Sequence, residues 1–348
     1  MVFLRLADTW VLPPVFGKLV RSLLASPHLS PFVTDLSCGT TRCDSTDVEH
    51  LWELGAEEPT DLGGRDSYWW EAFKREEAID LDGTLSRLFN LVAPNLRRLT
   101  AVRHRGDNYD SERLLSNVTF SSVVALEIDH FGPSLAASFP SLAELKCGAE
   151  AIPIPATAPP APALASFTLT TLHPAPLLYT WLTSTSHASL RALTLPFVDL
   201  FPFESDLAPF RCLESLTLQV PDLTFLLPSS RPLPPLPVSL RSLTLGHLAL
   251  NLSPATSLSA TFLSSLSAPN LVRLALDVPH FRACIYTELV ADKERLPSLE
   301  VVVAGWKHYS FRADEGWEWE EREKLRRVCE ERGVQLRLPS SRDSGGAP

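Results

Sequence analysis

The chain predicts an α/β solenoid of stacked repeats, with a curved parallel sheet and mixed helical and extended connections, and three observations lead there. The phrase Leu-x-x-Leu-x-Leu recurs at Leu190, Leu213, Leu240 and Leu271, and weaker copies with another apolar residue in one or two slots start at Leu96, Val123, Leu142, Leu164 and Leu299. Consecutive starts lie about 25 residues apart on average. The 348 residues are 45% hydrophobic, enough for an extensive core.

In extended chain, residues two apart share a face, so the fourth and sixth positions of the phrase point together into a core. One such strand with its return connection cannot bury its own apolar face, whereas stacked copies share a continuous interior. A period of this length is that of a leucine-rich repeat. Each repeat meets only its neighbours, so one repeat domain can run past the length at which a compact chain divides.

The elements follow in order. Phe16, Leu19, Val20, Leu23 and Leu24 fall on one helical face, which Pro27-His28 ends, and Val33-x-x-Leu36-x-Cys38 reads as an outlying copy of the strand. Residues 1–38 are thus an N-terminal helix and capping strand. Residues 39–92 form an acidic helical insertion with a lead-in helix near Thr84 to Leu91, and residues 93–338 carry the repeats with a terminal cap. Helical connections are expected near 111–117, 175–183, 260–266 and 281–291, and proline-rich extended ones over 152–162 and 228–237. A charged helix from Gly316 to Arg332, stopped by Gly333, leads to a last strand over Val334 to Leu338, and residues 339–348 read as a disordered tail.

Charge is uneven. Of the net −10, a surplus of 9 acidic residues lies between Gly39 and Asp82, where 13 acidic residues face 4 basic ones. Nucleic acid is therefore not an expected partner, because phosphate binding needs a basic footprint. No apolar run approaches the roughly 20 residues that span a bilayer, and Arg5, Asp8, Pro13 and Pro14 interrupt any signal-like start. No membrane association is expected, and the localisation read from this is cytoplasmic or nuclear. Six cysteines are too sparse for a disulfide scaffold, and Cys147, Cys212 and Cys284 read as small core residues. The sequons at Asn117 and Asn251 are discounted for want of a secretion signal.

No nucleophile elbow, phosphate loop or paired-histidine metal motif occurs, so no catalytic residue, cofactor or metal is expected, and the chain reads as a non-enzyme. Cys38, Cys43 and His50 come nearest to metal spacing but fall short of four close ligands.

A binding surface is better supported. If the fourth and sixth positions face inward, the third and fifth lie on the concave face. The fifth positions hold Thr100, Glu127, Lys146, Thr168, Thr194, Thr217, Thr244, Ala275 and Val303, and Ser166, Ala192, Ser215 and Ser242 occupy third positions beside the four consecutive threonines. Arg98, Glu127, Asp129, Glu144 and Lys146 flank this hydroxyl tract on one side, with Arg273 and Asp277 on the other, so a protein partner in the concavity would be oriented by charged ends. Threonine also suits exposed strand sites through its β-branch. Separately, Arg231, Pro234 and Pro237 have the Arg-x-x-Pro-x-x-Pro spacing of ligands for Src-homology-3 domains, with both prolines on one edge of a polyproline II helix if the loop is exposed.

The order of an amphipathic helix, Pro27 to Leu36 (Pro-His-Leu-x-x-Phe-Val-x-x-Leu), Ala93 to Leu99 (Ala-Pro-Asn-Leu-Arg-Arg-Leu), Phe139 to Leu145 (Phe-Pro-Ser-Leu-x-x-Leu) and a final helix–Gly333-Val334-Gln335-Leu336-Arg337-Leu338 resembles fungal F-box proteins with C-terminal leucine-rich repeats. That resemblance implies a protein-interaction scaffold linked to substrate recognition by a ubiquitin ligase. The family's helical F-box, which docks the Skp adaptor of a cullin ligase, has no counterpart before Val15, so no adaptor binding is expected of this chain. The ninth repeat position, often Asn or Cys in regular repeats, holds His104, Phe131, Glu150, Leu172, Val198, Pro221, Leu248, Pro279 and Lys307, which implies uneven turns without a side-chain ladder. The alternative function is a regulatory repeat protein of the GTPase-activating kind, which would place an arginine or asparagine at a nucleotide site.

Overall fold

The computed structural model describes residues 2–4, 22–39, 81–102, 115–148, 154–170, 176–196, 207, 209–220, 236–247, 266–277, 283–304 and 315–337. The chain divides into two compact units, Met1–Gly148 with Ile152–Pro162, and Ala149–Ala151 with Ala163–Pro348.

In the first unit five strands, β1 (Val2–Leu4), β2 (Val33–Gly39), β3 (Arg98–Val102), β4 (Ala125–Ile128) and β5 (Glu144–Cys147), pair in chain order, each parallel to the next. The expected outlying copy at Val33 is therefore strand β2. Preceding it, the first helix ends at Ala25, as expected before Pro27, Ser26 leaves the helical region at φ −129° and ψ 65°, and a separate six-residue 3₁₀ helix, Pro27–Phe32, leads into the strand. Helix α1 (Leu81–Val92) buries Leu88, Phe89 and Val92, and a four-residue turn of helix, α2 (Pro133–Ala136), buries Leu135. Phe120 stacks on Phe139 with ring centroids 4.8 Å apart and planes 3° from parallel, and meets the edge of Phe89 at 6.0 Å. The expected extended connection over 152–162 is interrupted, since Ala158 N–H donates to Pro155 O at 2.9 Å and closes a turn.

Among its described residues the second unit has seven strands: β6 (Ser166–Leu169), β7 (Ala192–Pro196), β8 (Ser215–Val220), β9 (Ser242–His247), β10 (Arg273–Asp277), β11 (Val301–Ala304) and β12 (Gln335–Arg337). They too pair in chain order and all in parallel. Helices α3 (Pro176–Ser184), α4 (Ala283–Ala291) and α5 (Glu315–Arg332) fill returns where the apolar spacing predicts them. Most of the expected helix over 260–266, and Phe16, Leu19 and Val20 of the first helical face, lie outside the described residues, whereas Leu23 of that face is helical and buried.

The register is the one the repeat phrase demands. Leu193, Leu216, Leu243 and Leu274 stand opposite one another on consecutive strands and are at most 1% exposed. The first position of every copy is buried as well, from Leu96 to Leu299. At the backbone, the carbonyl at the second position of one copy accepts two N–H groups from the next. Arg191 O takes Glu214 and Ser215, and Glu214 O takes Arg241 and Ser242, all at 2.9 Å. One carbonyl thus sets the register of a whole following strand, and the buried leucines hold it, because a one-residue slip would expose all of them.

The final helix ends in a Schellman motif. Val334 N–H donates to Cys329 O at 2.8 Å and Gly333 N–H to Glu330 O at 3.1 Å, with Gly333 in the left-handed region at φ 71°. Val334 and Cys329 are both buried, which supplies the apolar contact of that motif. The Arg332 guanidinium donates to Leu296 O at 2.8 Å and also to Val290 O, tying the helix to the carbonyls at and beyond the end of α4. A Cβ on Gly333 would meet nothing within 4 Å, so substitution there tests the backbone alone. Gly333→Ala is expected to destabilise the second unit by about 1–2 kcal/mol, and Gly333→Asn by less, as read from thermal unfolding.

Candidate functional site

Alternation along each strand sends the residues between the buried leucines to the opposite face. In the second unit this yields two rows running across the strands. Thr168, Thr194, Thr217 and Thr244 are mutual register partners, and Ser166, Ala192, Ser215 and Ser242 form the row beside them. All eight are partly exposed. None of the seven hydroxyls bonds to another described residue. That separates them from several serines and threonines elsewhere in the unit. Thr183 Oγ1 donates to Tyr179 O, Ser189 Oγ to Leu164 O and Ser239 Oγ to Leu213 O, each at 2.8 Å.

The first unit presents a different outward surface. Asp35, Arg98, Ala125 and Glu144 form one row, and Thr100, Glu127 and Lys146 the other. Here the charges pair across strands. Lys146 Nζ lies 2.5 Å from Glu127, and Arg98 Nε lies 3.9 Å from Asp35. Both pairs are solvated, so each contributes at most about 1 kcal/mol. Of the acidic and basic residues expected to flank the hydroxyl tract on this side, Glu144 is exposed and Asp129 half-exposed beyond the end of β4. On the other side Arg273 is exposed at the start of β10, and Asp277 ends that strand opposite Gly246.

Three expectations need correction. Ala275, a fifth-position residue expected to face solvent, is only 6% exposed. Its methyl stands between the β-branched Thr244 and Val303 of the adjoining strands, which leave it little open surface. Cys212, read as core, is exposed, because it directly precedes the buried Leu213 in the turn before β8. Pro237 is buried beside the start of β9, where its carbonyl accepts the Leu240 N–H at 3.0 Å. Packed there, its ring is not part of the exposed polyproline edge that the Arg-x-x-Pro-x-x-Pro spacing requires. Arg231 and Pro234 lie outside the described residues, as do Cys43 and His50.

A side-chain ladder does occur, in the turns and away from the ninth repeat position. The residue just before the first leucine of a copy reaches back about one repeat to a carbonyl. Ser122 Oγ donates to Pro94 O, Asn270 Nδ2 to Val238 O and Ser298 Oγ to Pro269 O, within 2.7–2.8 Å, alongside the Ser189 and Ser239 bonds. The signal was present as a Ser or Asn directly preceding each of those apolar residues. It is obscured because the donor belongs to the turn, where sequence offers no periodic pattern of its own.

No group of three potential metal ligands occurs among the described residues, and no described helix is long and apolar enough to cross a membrane. The buried thiols are held protonated. Burial pushes Cys147 up to about 12, and burial also raises Cys329 to about 11, opposed by the nearby Arg332. Since the thiolate is the reactive form, a maleimide at neutral pH should label Cys212 in the native protein well before Cys147 or Cys329. Peptide mapping checks this; labelling of Cys147 at the same rate as Cys212 would show that the strand β5 register is wrong.

No protein-family model matches the chain, and no curated protein matches it.

Proposed function

We propose that this chain is a leucine-rich-repeat interaction scaffold, akin to the substrate-binding repeat region of F-box proteins, and that it binds a protein through the outward rows of its strands. The observation that carries this reading is the hydroxyl tract of β6–β9, whose donors and acceptors are committed to nothing within the described protein while the residues between its two rows, Phe167, Leu193, Leu216 and Leu243, are buried in the core. Such a face holds many weak hydrogen-bonding groups on a rigid support, which suits a protein segment laid across the strands. A link to a ubiquitin ligase belongs to the resemblance and is part of the proposal.

Affinity purification with mass spectrometry tests it. Thr217→Arg projects a long side chain from the middle of the tract without touching the core, and it is expected to strip the specifically retained proteins from the bait. A retained set identical to that of the wild type would overturn the reading. A GTP hydrolysis assay with the captured partners separates the regulatory alternative, which predicts acceleration that this proposal does not.

A further inference from the structure

From β10 onward the outward rows change character. The third-position row continues as Arg273, Val301 and Gln335, and the fifth-position row as Ala275, Val303 and Arg337. Val301 and Val303 are partly exposed and, with Ala275, make a short apolar strip. Arg273 and Arg337 stand at its opposite corners, and both are exposed. Arg273 has no ion pair or side-chain hydrogen bond among the described residues. Arg337 donates only to Gln335 Oε1, at 2.9 and 3.1 Å, which leaves its charge uncompensated by any described carboxylate.

Across all seven strands of this unit, the two rows contain no acidic residue, and these two arginines are their only charges. Off the rows, Glu300 precedes β11 and Asp277 is the last residue of β10.

We infer that this corner binds an extended segment of a protein partner in which two carboxylates flank an apolar side chain, in the pattern acidic-x-apolar-x-acidic. The spacing argues for it. Two strand gaps and one two-residue step put the Arg273 and Arg337 Cα atoms about 12 Å apart. In an extended peptide, residues i, i+2 and i+4 share a face, and the outer two are about 13 Å apart. The central apolar residue then rests on Val301 and Val303 while each carboxylate meets a guanidinium, whose planar fork suits it. The two guanidiniums belong to different strands with β11 between them, so the segment runs diagonally from Arg273 toward Arg337 and not along one strand.

This inference rests on the interaction reading and names the chemistry of the partner. A fluorescein-labelled peptide with a central Glu-Ser-Val-Ser-Glu, its Gln-Ser-Val-Ser-Gln counterpart and its Lys-Ser-Val-Ser-Lys counterpart are titrated by anisotropy against the full chain. The Glu peptide is expected to bind at least about tenfold more tightly than the Gln peptide, with a preference that weakens as salt is raised. The double variant Arg273→Glu/Arg337→Glu, with circular dichroism and melting unchanged, is expected to invert the preference toward the Lys peptide. Equal affinity for all three peptides, or a preference that survives the double variant, overturns the inference. The two readings also part in the purification experiment. Partners lost with Thr217→Arg but kept by the double variant would remove this corner's role and leave the interaction face standing, whereas partners kept by both variants would remove both.

Discussion

Leu216→Ala is expected to lower the free energy of unfolding by about 2–5 kcal/mol, while Thr217→Ala changes it by less than about 1 kcal/mol. The two residues are neighbours on β8 and differ in the face they occupy. Leu216 is 0% exposed and lies between Leu193 and Leu243 of the adjoining strands, so truncation removes apolar burial on both sides and leaves a cavity that two fixed strands cannot close. Thr217 lies between Thr194 and Thr244 on the outward row, and its hydroxyl bonds to no described residue, so its loss removes a methyl and a solvated group. Urea titration followed by far-ultraviolet circular dichroism and by tryptophan fluorescence measures both. Comparable losses at the two sites would mean that the strand register is wrong by one residue.

The same alternation explains how much of the fold was legible. A leucine phrase repeated at a near-constant step specifies strand, face and neighbour at once, so β3–β11 and their parallel order could be read from Leu96 to Leu299, and the outward rows came with them. The end of the chain was readable for a different reason, since Gly333 after an apolar-spaced helix is a local signal with a local cause. What stayed hidden depends on partners that are distant in sequence. Ala275 has the position of an outward residue, and only its neighbours Thr244 and Val303 cover it. Pro237 belongs to a proline-rich run that reads as an exposed helix, and its burial follows from the turn that starts β9. The corner formed by Arg273 and Arg337 joins strands 64 residues apart in numbering, with β11 between them. The phrase at Leu299 predicts Val301 and Val303, but Arg337 belongs to a strand read only as a cap.

Phe120→Ala is expected to be the most damaging single truncation in the first unit, at about 3–5 kcal/mol. Its ring is fully buried and links two elements. It stacks on Phe139, which precedes β5, and meets the edge of Phe89 on α1, with a tilted Phe131–Phe139 pair extending the cluster. Removing the central ring forfeits the burial of a large side chain and also the offset and edge contacts, each contributing about 0.5–1.5 kcal/mol beyond area. The backbone there is committed as well, with Phe120 N–H donating to Ser138 O at 2.7 Å and Phe120 O accepting Val123 N–H at 3.3 Å. A loosened ring therefore disturbs the turn that delivers β4. Phe120→Leu retains most of the apolar volume and should lose distinctly less. Hydrogen exchange resolved to peptides supplies the readout, with protection of Ala125–Ile128 and Glu144–Cys147 falling in the alanine variant. Unchanged protection in both strands would mean that the aromatic cluster does not hold this unit together.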